Sequence, residues 1–258
     1  MKKIGITGGS GLLGKILIKE LRKKKISYSL FKKNIINQKD ISEWLSRNNK
    51  IKYIFHFAAH TSAINSNRNK IKVYNTNVIG TENLIKAINL KKKKIIVFFS
   101  SSSHIYDYSN KPIKENFKTK PSSFYGKTKL LAEKKILNKK YRYHKYFIAR
   151  IFSVFHKNQK KPFLYPSIKD KLKIIKSKKV YVKGANNIRD FLNADRLIKI
   201  ILRVYDKKLI GIYNIGSGKG ITVKKFINNY IDKKKIIYDH NKPNSLIADI
   251  TKLKKKLI

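Results

Sequence analysis

Two residue patterns in this chain are suited to chemistry when they are taken together. The first is the segment Thr7-Gly8-Gly9-Ser10-Gly11-Leu12-Leu13-Gly14, which can hold a dinucleotide pyrophosphate at a helix N-terminus. The second is the pair Tyr125 and Lys129, which places a phenol one helical turn from an ammonium group. A phosphate-binding loop and a proton-exchanging phenol are parts that hydride transfer requires, so the patterns predict a hydride-transfer enzyme.

The glycine loop stands between a strand pattern over residues 3–7 and a helical pattern with the apolar positions Leu12, Leu13, Ile16, Leu17 and Leu21. Gly8 and Gly11 let the backbone approach a phosphate closely, and Gly14 lets the helix pack on the sheet. This setting favours nucleotide binding over an ordinary tight turn between strand and helix. The residues predicted to bind the cofactor here are Gly8, Gly11, Leu12 and Leu13.

The end of the second predicted strand reads Phe31-Lys32-Lys33-Asn34, without the acidic residue that often binds the adenosine ribose at this point. Lys32 would attract a 2′-phosphate, so the cofactor is predicted to be NAD or NADP, with a preference for NADP. Asp40 and Ile41 come just before the next helix, where they would contact the adenine. The alternative for Asp40 is that it caps that helix.

Catalytic groups are predicted where the strand before Ser100-Ser101-Ser102-Ser103 ends and on the helix that carries Tyr125. The ordinary pKa of tyrosine is near ~10, and Lys129 together with the positive ring of the cofactor would favour the phenolate. Tyr125 would then remove or return a hydroxyl proton near neutral pH, while a serine binds the same oxygen. The alternative is that Tyr125 and Lys129 lie on the surface of a lysine-rich helix.

Among the six histidines, His104 is the strongest candidate because it lies two residues beyond Ser102. It would contact the substrate or relay a proton, and the alternative is a structural histidine. His56 is predicted to pack beneath the cofactor. The spacing of histidines and carboxylates does not indicate a metal site.

These residues need a scaffold of strands that alternate with helices. Strands are predicted at residues 3–7, 26–31, 53–57, 95–99 and 146–150, and helices from residue 12 and over 41–45, 73–88 and 125–139. The alternation predicts an α/β fold with a doubly wound parallel sheet, a Rossmann fold, that binds ligands at the carboxyl ends of its strands. Residues 156–187 are predicted to form a mobile insertion with one helix on the substrate side.

The division into regions follows from this pattern. Residues 1–155 would form the NAD(P)-binding core, and residues 156–258 mainly a substrate-binding region, with some segments returning to the core. The chain has 258 residues, 41% of them hydrophobic, and no cysteine, so a core is expected and a disulfide framework is excluded.

The net charge of +48 is spread along the whole chain, and only eight of the 62 basic residues are arginine. This pattern favours a solvated basic surface over a specific nucleic-acid site. The apolar run in the first residues is too short for a signal peptide. The sequence also contains no stretch of about 18 apolar residues, the length that a membrane span requires. A cytoplasmic location without a membrane anchor is therefore predicted.

The ordered motifs of the chain resemble the extended short-chain dehydrogenase/reductase family, in its nucleotide-sugar epimerase, dehydratase and reductase branch. The segments that carry the resemblance are residues 7–14, His56-Phe57-Ala58-Ala59, Asn77-Val78-Ile79-Gly80-Thr81, Ser100-Ser101-Ser102 with Ile105-Tyr106, residues 121–129, Arg150-Ile151-Phe152-Ser153, residues 189–195 and Asn214-Ile215-Gly216.

The resemblance implies roles for further residues. Those implied to contact the cofactor are Phe57, Ala58, Ala59, Asn77, Tyr125, Lys129 and Phe152. Ser102 corresponds to the catalytic hydroxyl, and the substrate side would include Ser102, Ser103, His104, Ser153 and Arg189. Arg189 would bind the diphosphate of a nucleotide sugar. The family also commonly forms homodimers through the helices near residues 77–89 and 122–139.

The departures from the family pattern narrow the function. Ser103-His104 stands where the sugar-nucleotide dehydratases carry an Asp-Glu pair, so a dehydratase is not expected. Lys32 in place of the acidic residue resembles the pattern in the NADP-using reductases of this family. The predicted function is therefore an NAD(P)-dependent epimerase or reductase of a nucleotide sugar. A narrower alternative is an enzyme with a reduced pocket that acts on a non-nucleotide carbonyl compound. A non-catalytic RNA-binding Rossmann protein is the alternative of another class.

Overall fold

A computed structural model describes residues 3–61, 69–174, 179–230, 236–240 and 242–258. The strands are β1 Lys3–Thr7, β2 Tyr28–Phe31, β3 Ile51–His56, β4 Ile95–Ser102, β5 His144–Ile151, β6 Ser153–Phe155, β7 Val180–Val182, β8 Ile188–Arg189, β9 Phe191–Asn193, β10 Gly211–Ile215, β11 Ile221–Thr222, β12 Ile236–Tyr238 and β13 Ser245–Leu246. The α-helices are α1 Leu12–Lys23, α2 Gln38–Arg47, α3 Lys70–Tyr74, α4 Gly80–Leu90, α5 Phe124–Ile136, α6 Leu164–Ile174, α7 Ala194–Asp206, α8 Val223–Asn228 and α9 Thr251–Leu257.

Six of the described strands form one parallel sheet in the order β10-β5-β4-β3-β1-β2. Their side chains are apolar on both faces, as expected for strands covered by helices on each side. The chain runs from β1 to β2 on one side and returns through β3 on the other, so a crevice opens between β1 and β3 at the carboxyl edge. The predicted doubly wound α/β fold is confirmed.

Two apolar layers cover the sheet. On one face the buried stripe of α1, with Leu17 and Leu21, packs with α7 and α9. On the other face α2, α4 and α5 pack around residues such as Trp44 and Leu84. Both layers bury continuous apolar surface, which is the main stabilising contribution to the fold.

Several predicted boundaries shift in the structure. The second strand begins at Tyr28, two residues after the predicted start, and the third covers Ile51–His56. The helix predicted over residues 73–88 extends from Lys70 to Leu90 and contains a π-helical turn at Asn75–Ile79. A π-helical turn rotates the following residues, and such turns are frequent at functional sites.

The second half of the chain builds a smaller layer beside the carboxyl edge of the sheet. Strand β6 pairs with β9, β7 with β12, and β8 with both β11 and β13. Helix α6 is the helix predicted within residues 156–187. Strand β10 and helix α7 return to the main sheet and its core. In the described ranges, no helix combines the length and the apolar character that a bilayer span requires.

Candidate active site

A cavity of about 490 Å³ opens at the carboxyl edge of the sheet. Three groups of residues line it: the glycine loop, the ends of β3, β4 and β5, and the smaller layer of the second half. The predicted site residues among its lining are Gly8, Gly11, Leu12, Leu13, Phe57, Ala59, Ser102, Ser103, His104, Tyr125, Lys129, Phe152, Ser153 and Arg189. The structure thus brings together residues that lie up to 181 positions apart in the sequence.

The glycine loop has the backbone that a pyrophosphate requires. Gly8 has a φ of +72°, and a Cβ atom there would lie 2.5 Å from the backbone nitrogen of Ala58. A Cβ atom at Gly14 would lie 2.4 Å from the carbonyl oxygen of Gly8. Helix α1 begins after Gly11 without a side-chain cap, so the first-turn N–H groups of Leu12 and its neighbours are available to an anion. These residues fit a bound dinucleotide.

A chain of buried hydrogen bonds ties the glycine loop to the end of β3. Thr81 donates to the carbonyl oxygen of Asn77, so its Oγ1 accepts from Nε2 of His56 at 2.9 Å. Nδ1 of His56 therefore accepts from the hydroxyl of Thr7 at 2.6 Å, and Thr7 in turn accepts from the backbone N–H of Ala58. Burial lowers the pKa of His56 to about 3, which keeps the ring neutral. His56 thus ties the glycine loop and the end of β3 to Thr81.

Asn77 lies at the π-helical turn and is buried outside the cavity lining. Its side chain accepts from the backbone N–H of His60 at 2.8 Å and donates to Thr128 at 3.0 Å. Asn77 thereby fastens the segment after β3 to helix α5, which carries Tyr125. The predicted contact of Asn77 with the cofactor stays a prediction.

The three predicted catalytic residues meet at one side of the cavity. Strand β4 ends at Ser102, and a single 3₁₀ turn over Ser103–Ile105 follows. Helix α5 begins beyond Ser123, whose hydroxyl accepts from the N–H of Gly126. A Cβ atom at Gly126 would lie only 2.2 Å from the carbonyl oxygen of His104, so glycine allows the turn and the helix to touch. This close approach places Tyr125 beside Ser102.

Burial dominates the electrostatics of this group. It raises the pKa of Tyr125 to about 12, and the Ser102 hydroxyl partly offsets the rise. It also lowers the pKa of Lys129 to about 7, against the opposing effect of Glu133. Nζ of Lys129 lies 4.2 Å from the centre of the Phe99 ring. In the protein without ligands, burial therefore sets the direction of both pKa shifts.

A buried ion pair that the sequence analysis did not predict joins helix α5 to strand β5. Nη2 of Arg150 donates to Glu133 at 2.8 Å, and the hydroxyl of Ser101 also donates to Glu133. Arg150 further donates to the hydroxyl of Tyr106 at 2.9 Å. The available signals were a charged residue within an apolar strand and a carboxylate four residues after Lys129 on one helix face.

Arg189 lines the cavity from strand β8, in the smaller layer of the second half. Its Nη1 donates to the carbonyl oxygens of Ile188 and Asn244 at 2.8 Å, and its Nη2 donates to the side chain of Asn244. Its guanidinium lies over the ring of Tyr108, 5.6 Å from the centre. Nε–H has no partner within the described part of the chain. The held guanidinium thus keeps a donor edge for an anionic ligand.

Asp190, next to Arg189, was not predicted as important. Its carboxylate accepts from the backbone N–H groups of Ser217, Gly218 and Ala248 at 2.6 to 3.2 Å. Because these groups belong to two segments of the second half, Asp190 anchors the loops around Arg189. A buried carboxylate with several backbone donors has this structural function.

Four further residues that were predicted to contact the cofactor lie outside the cavity lining. Ala58 adjoins the glycine loop, and Lys32 is exposed at the end of β2. Asp40 forms an ion pair with Lys33 at 2.9 Å and does not cap its helix, because the Asn37 side chain does so. Ile41 is fully buried in the apolar core, which removes its side chain from the cavity. Across the residues that the structure describes, no cluster of ligands for a metal ion occurs.

Comparisons with known proteins agree with this geometry. Residues 4–216 match the model of the NAD dependent epimerase/dehydratase family. GDP-6-deoxy-D-talose 4-dehydrogenase from Aggregatibacter actinomycetemcomitans is 31% identical over 229 residues, which cover 86% of this chain and 76% of that relative.

Two solved structures show the same fold. The structure of RMD from Pseudomonas aeruginosa, complexed with NADPH, aligns with a TM-score of 0.87 at 20% identity, and the alignment covers 100% of this chain and 92% of the RMD chain. UDP-glucose 4-epimerase from Thermus thermophilus, complexed with NAD, has a TM-score of 0.81 at 16% identity and covers 98% and 92%. At these identities the likeness supports the fold and does not identify a substrate.

Proposed function

The chain belongs to the NAD-dependent epimerase/dehydratase family and is an enzyme of this kind, and on that premise we propose that it transfers hydride at a ring carbon of a nucleotide-activated sugar. The observation that carries the proposal is the convergence of Ser102, Tyr125 and Lys129 with the glycine loop in one cavity. The name of the relative from Aggregatibacter describes a dehydrogenase that acts at position 4 of a GDP-linked 6-deoxy sugar. A 4-keto or 4-hydroxy sugar nucleotide is therefore the first substrate to try.

The cofactor proposed for this site is NADP, with NAD as the alternative. When bound, the nicotinamide would supply or take the hydride. Lys32 supports NADP because it is exposed at the end of β2 and has no ion-pair partner within the described residues. Asp40 is the nearest carboxylate that follows along the chain, and Lys33 already neutralises it. A 2′-phosphate near Lys32 would thus meet a cation without an opposing carboxylate.

The chain supplies the proton and holds the reacting oxygen. Tyr125 and Ser102 lie on neighbouring elements, so both hydroxyls can bind one substrate oxygen, and Tyr125 gives or takes its proton. Lys129 has no hydrogen-bond acceptor among the described residues, so its ammonium group is available to hydroxyl groups of the ligands. A positive charge there lowers the energy of a phenolate at Tyr125.

Arg189 is proposed to hold the diphosphate of the nucleotide. Two of its nitrogens are fixed by Ile188 and Asn244, so the guanidinium is already oriented before a ligand arrives. A fixed donor loses little side-chain entropy on binding. Net reduction with release of an oxidised cofactor defines a reductase, whereas return of the hydride to the opposite face defines an epimerase.

Tyr125→Phe tests the proposed function. We expect it to lower the rate of hydride transfer by about 10² to 10⁴, because the proton donor is lost while the ring remains. NADPH or NADH oxidation with GDP-, UDP- and dTDP-linked 4-keto-6-deoxyhexoses measures the rate. Tyr181→Phe is the matched control, since Tyr181 is 70% exposed on β7. Wild-type turnover in the Tyr125→Phe variant would refute the role of Tyr125.

We also propose that the protein forms a homodimer. Helices α3 and α5 contact each other and expose Ile71, Tyr74 and Leu131, which are 76%, 37% and 38% accessible. Apolar side chains grouped on two packed helices form a surface that a second copy would cover. This face is continuous with the helix that carries Tyr125, so dimer formation would also stiffen the active site.

A further inference from the structure

His104 faces the cavity, and the proposed hydride transfer does not use it. Its imidazole lines the cavity and is exposed there. The ring meets the ring of Tyr125 edge-on, with the two centres 5.8 Å apart and the planes at 71°. Within the described part of the chain, neither ring nitrogen of His104 has a hydrogen-bond partner. The imidazole is therefore free to act on a ligand.

The backbone around His104 is held firmly although the ring nitrogens are free. Its N–H donates to the hydroxyl of Ser102 at 3.2 Å, and its carbonyl oxygen packs against Gly126 of helix α5. The position of the imidazole relative to Tyr125 is thus set by the same contacts that build the catalytic group. A well-positioned group with free nitrogens has the geometry of a general base.

His56 is a clear structural histidine in this protein. It is 1% exposed and has protein partners on both ring nitrogens, as buried polar groups normally do. His104 differs because it is exposed in the cavity and its ring nitrogens have no protein partner among the described residues, so a ligand can reach them.

His104 supplies an imidazole base to a cavity whose described lining has no carboxylate. The described residues that line it include no aspartate or glutamate. Burial and the nearby Arg189 hold the pKa of His104 below its ordinary value, so the ring is neutral and basic at pH 7. The titratable groups that share the lining are Tyr125, Lys129, Tyr165 and Arg189, and Arg189 is cationic. His104 is thus the imidazole base beside the reacting oxygen.

We propose that His104 moves a proton at the carbon next to the substrate carbonyl, so that the site can exchange the hydrogen of that carbon with solvent as well as transfer hydride. The inference rests on the proposed function, because Ser102 and Tyr125 must hold the carbonyl oxygen. That oxygen is bonded to the carbonyl carbon. The reacting C–H bond belongs to the carbon that is bonded to this carbonyl carbon. A base in ring contact with Tyr125 is placed for that C–H.

The step is balanced without an oxidant. The C–H bond next to the carbonyl breaks, its proton moves to a ring nitrogen of His104, and its electron pair forms a carbon–carbon double bond. The carbonyl becomes an enolate whose oxygen accepts hydrogen bonds from Tyr125 and Ser102. Return of a proton from His104 restores the ketone. When His104 has first exchanged its proton with solvent, the carbon acquires a solvent hydrogen.

Deuterium exchange tests the inference without hydride transfer. The protein is incubated in D₂O with GDP-, UDP- or dTDP-linked 4-keto-6-deoxyhexose and no reduced cofactor. Proton NMR follows loss of the signals at C3 and C5, and mass spectrometry follows the gain of deuterium. We expect the wild-type protein to exchange one of these protons faster than buffer does. His104→Gln should slow the enzymatic exchange by about 10² to 10⁴.

Controls separate proton transfer from structural damage. His240→Gln makes the same change at an exposed histidine outside the cavity lining and should match the wild-type protein. His104→Ala should regain exchange when imidazole is added, which a purely structural role of His104 would not allow. Circular dichroism and thermal unfolding of each variant report whether it is folded.

The outcomes distinguish this inference from the proposed function. Exchange in the His104→Gln variant at the wild-type rate would overturn the inference. Wild-type exchange no faster than in buffer, together with NADPH or NADH oxidation by the same ketone, would overturn it and leave the proposed function standing. A protein that neither oxidises the reduced cofactors nor exchanges the probe would overturn both.

Discussion

Replacing Lys129 by methionine is expected to make the protein more stable and inactive. Lys129 is 1% exposed, and its Nζ lies over the Phe99 ring without a hydrogen-bond acceptor among the described residues. Methionine fills a similar space without a charge. An enzyme that buries a lysine for catalysis sacrifices stability for function, so the two effects of Lys129→Met should have opposite signs.

The magnitude follows from the shift in the Lys129 pKa from 10.5 to about 7. At pH 7 the unfolded chain holds this proton, and the folded protein is about half protonated. Linkage then destabilises the folded state by about 4 kcal/mol, since one unit of pKa corresponds to ~1.4 kcal/mol. The lost contact with Phe99 offsets about 2 kcal/mol. Lys129→Met should therefore raise the free energy of unfolding by about 2 kcal/mol at pH 7.

The same linkage predicts the pH dependence. The folded-state pKa of Lys129 is lowered, so between pH 7 and about 10.5 the unfolded state binds more protons than the folded state. The stability of the wild-type protein should rise with pH across this window relative to Lys129→Met. By pH 10 the linkage penalty falls to about 1 kcal/mol, so the advantage of the variant disappears.

Urea unfolding at pH 7 and pH 10 measures both effects. Lys127→Met is the matched control, because Lys127 lies two residues away on the same helix and is exposed. The control should change stability by less than about 0.5 kcal/mol. A Lys129→Met variant that is less stable than the wild-type protein at pH 7, or whose stability difference is independent of pH, would refute the reasoning.

Three further variants test other parts of the structure. Glu133→Gln should destabilise by about 3 to 5 kcal/mol in urea unfolding, because Arg150 is left buried without its partner; an additional Arg150→Met substitution should recover part of this loss, and strict additivity would count against the pair. Leu131→Glu should convert the dimer to a monomer in light scattering, and an unchanged mass would contradict the proposed interface. Lys32→Glu should weaken NADPH binding relative to NADH binding by about tenfold or more in calorimetry, whereas an unchanged ratio would remove Lys32 from the cofactor site.

The sequence was sufficient for the fold class and for part of the cavity lining. The glycine spacing and the alternation of strands and helices depend on local periodicity, which neighbouring residues determine. Tyr125 and Lys129 lie on one helix, and Ser102 ends one strand, so parallel-sheet geometry alone brings them to one edge. Arg189 also lines this cavity, and its predicted contact with the substrate stays a prediction.

Contacts between distant segments could not be predicted from the sequence. Asn77 joins His60, 17 residues before it, to Thr128, 51 residues after it, and a spacing pattern does not encode that partnership. Burial by the whole fold raises the pKa of Tyr125 and lowers the pKa of Lys129 in the protein without ligands. The predicted stabilisation of the Tyr125 phenolate by Lys129 and the cofactor ring together stays a prediction.

Hydrogen-bond satisfaction separates the groups that build this site from those that act in it. His56, Asp190 and Glu133 are polar and buried, and each has protein partners for the atoms that need them. Within the described residues, the ring nitrogens of His104 and the ammonium of Lys129 lack such partners although both line the cavity. Lys129 is 1% exposed, and leaving a polar group unpaired in a protein interior costs about 1 to 3 kcal/mol. A ligand with hydroxyl groups would supply the missing partner of Lys129 and recover this energy on binding, whereas the ring nitrogens of His104 are exposed in the cavity and open to such a ligand.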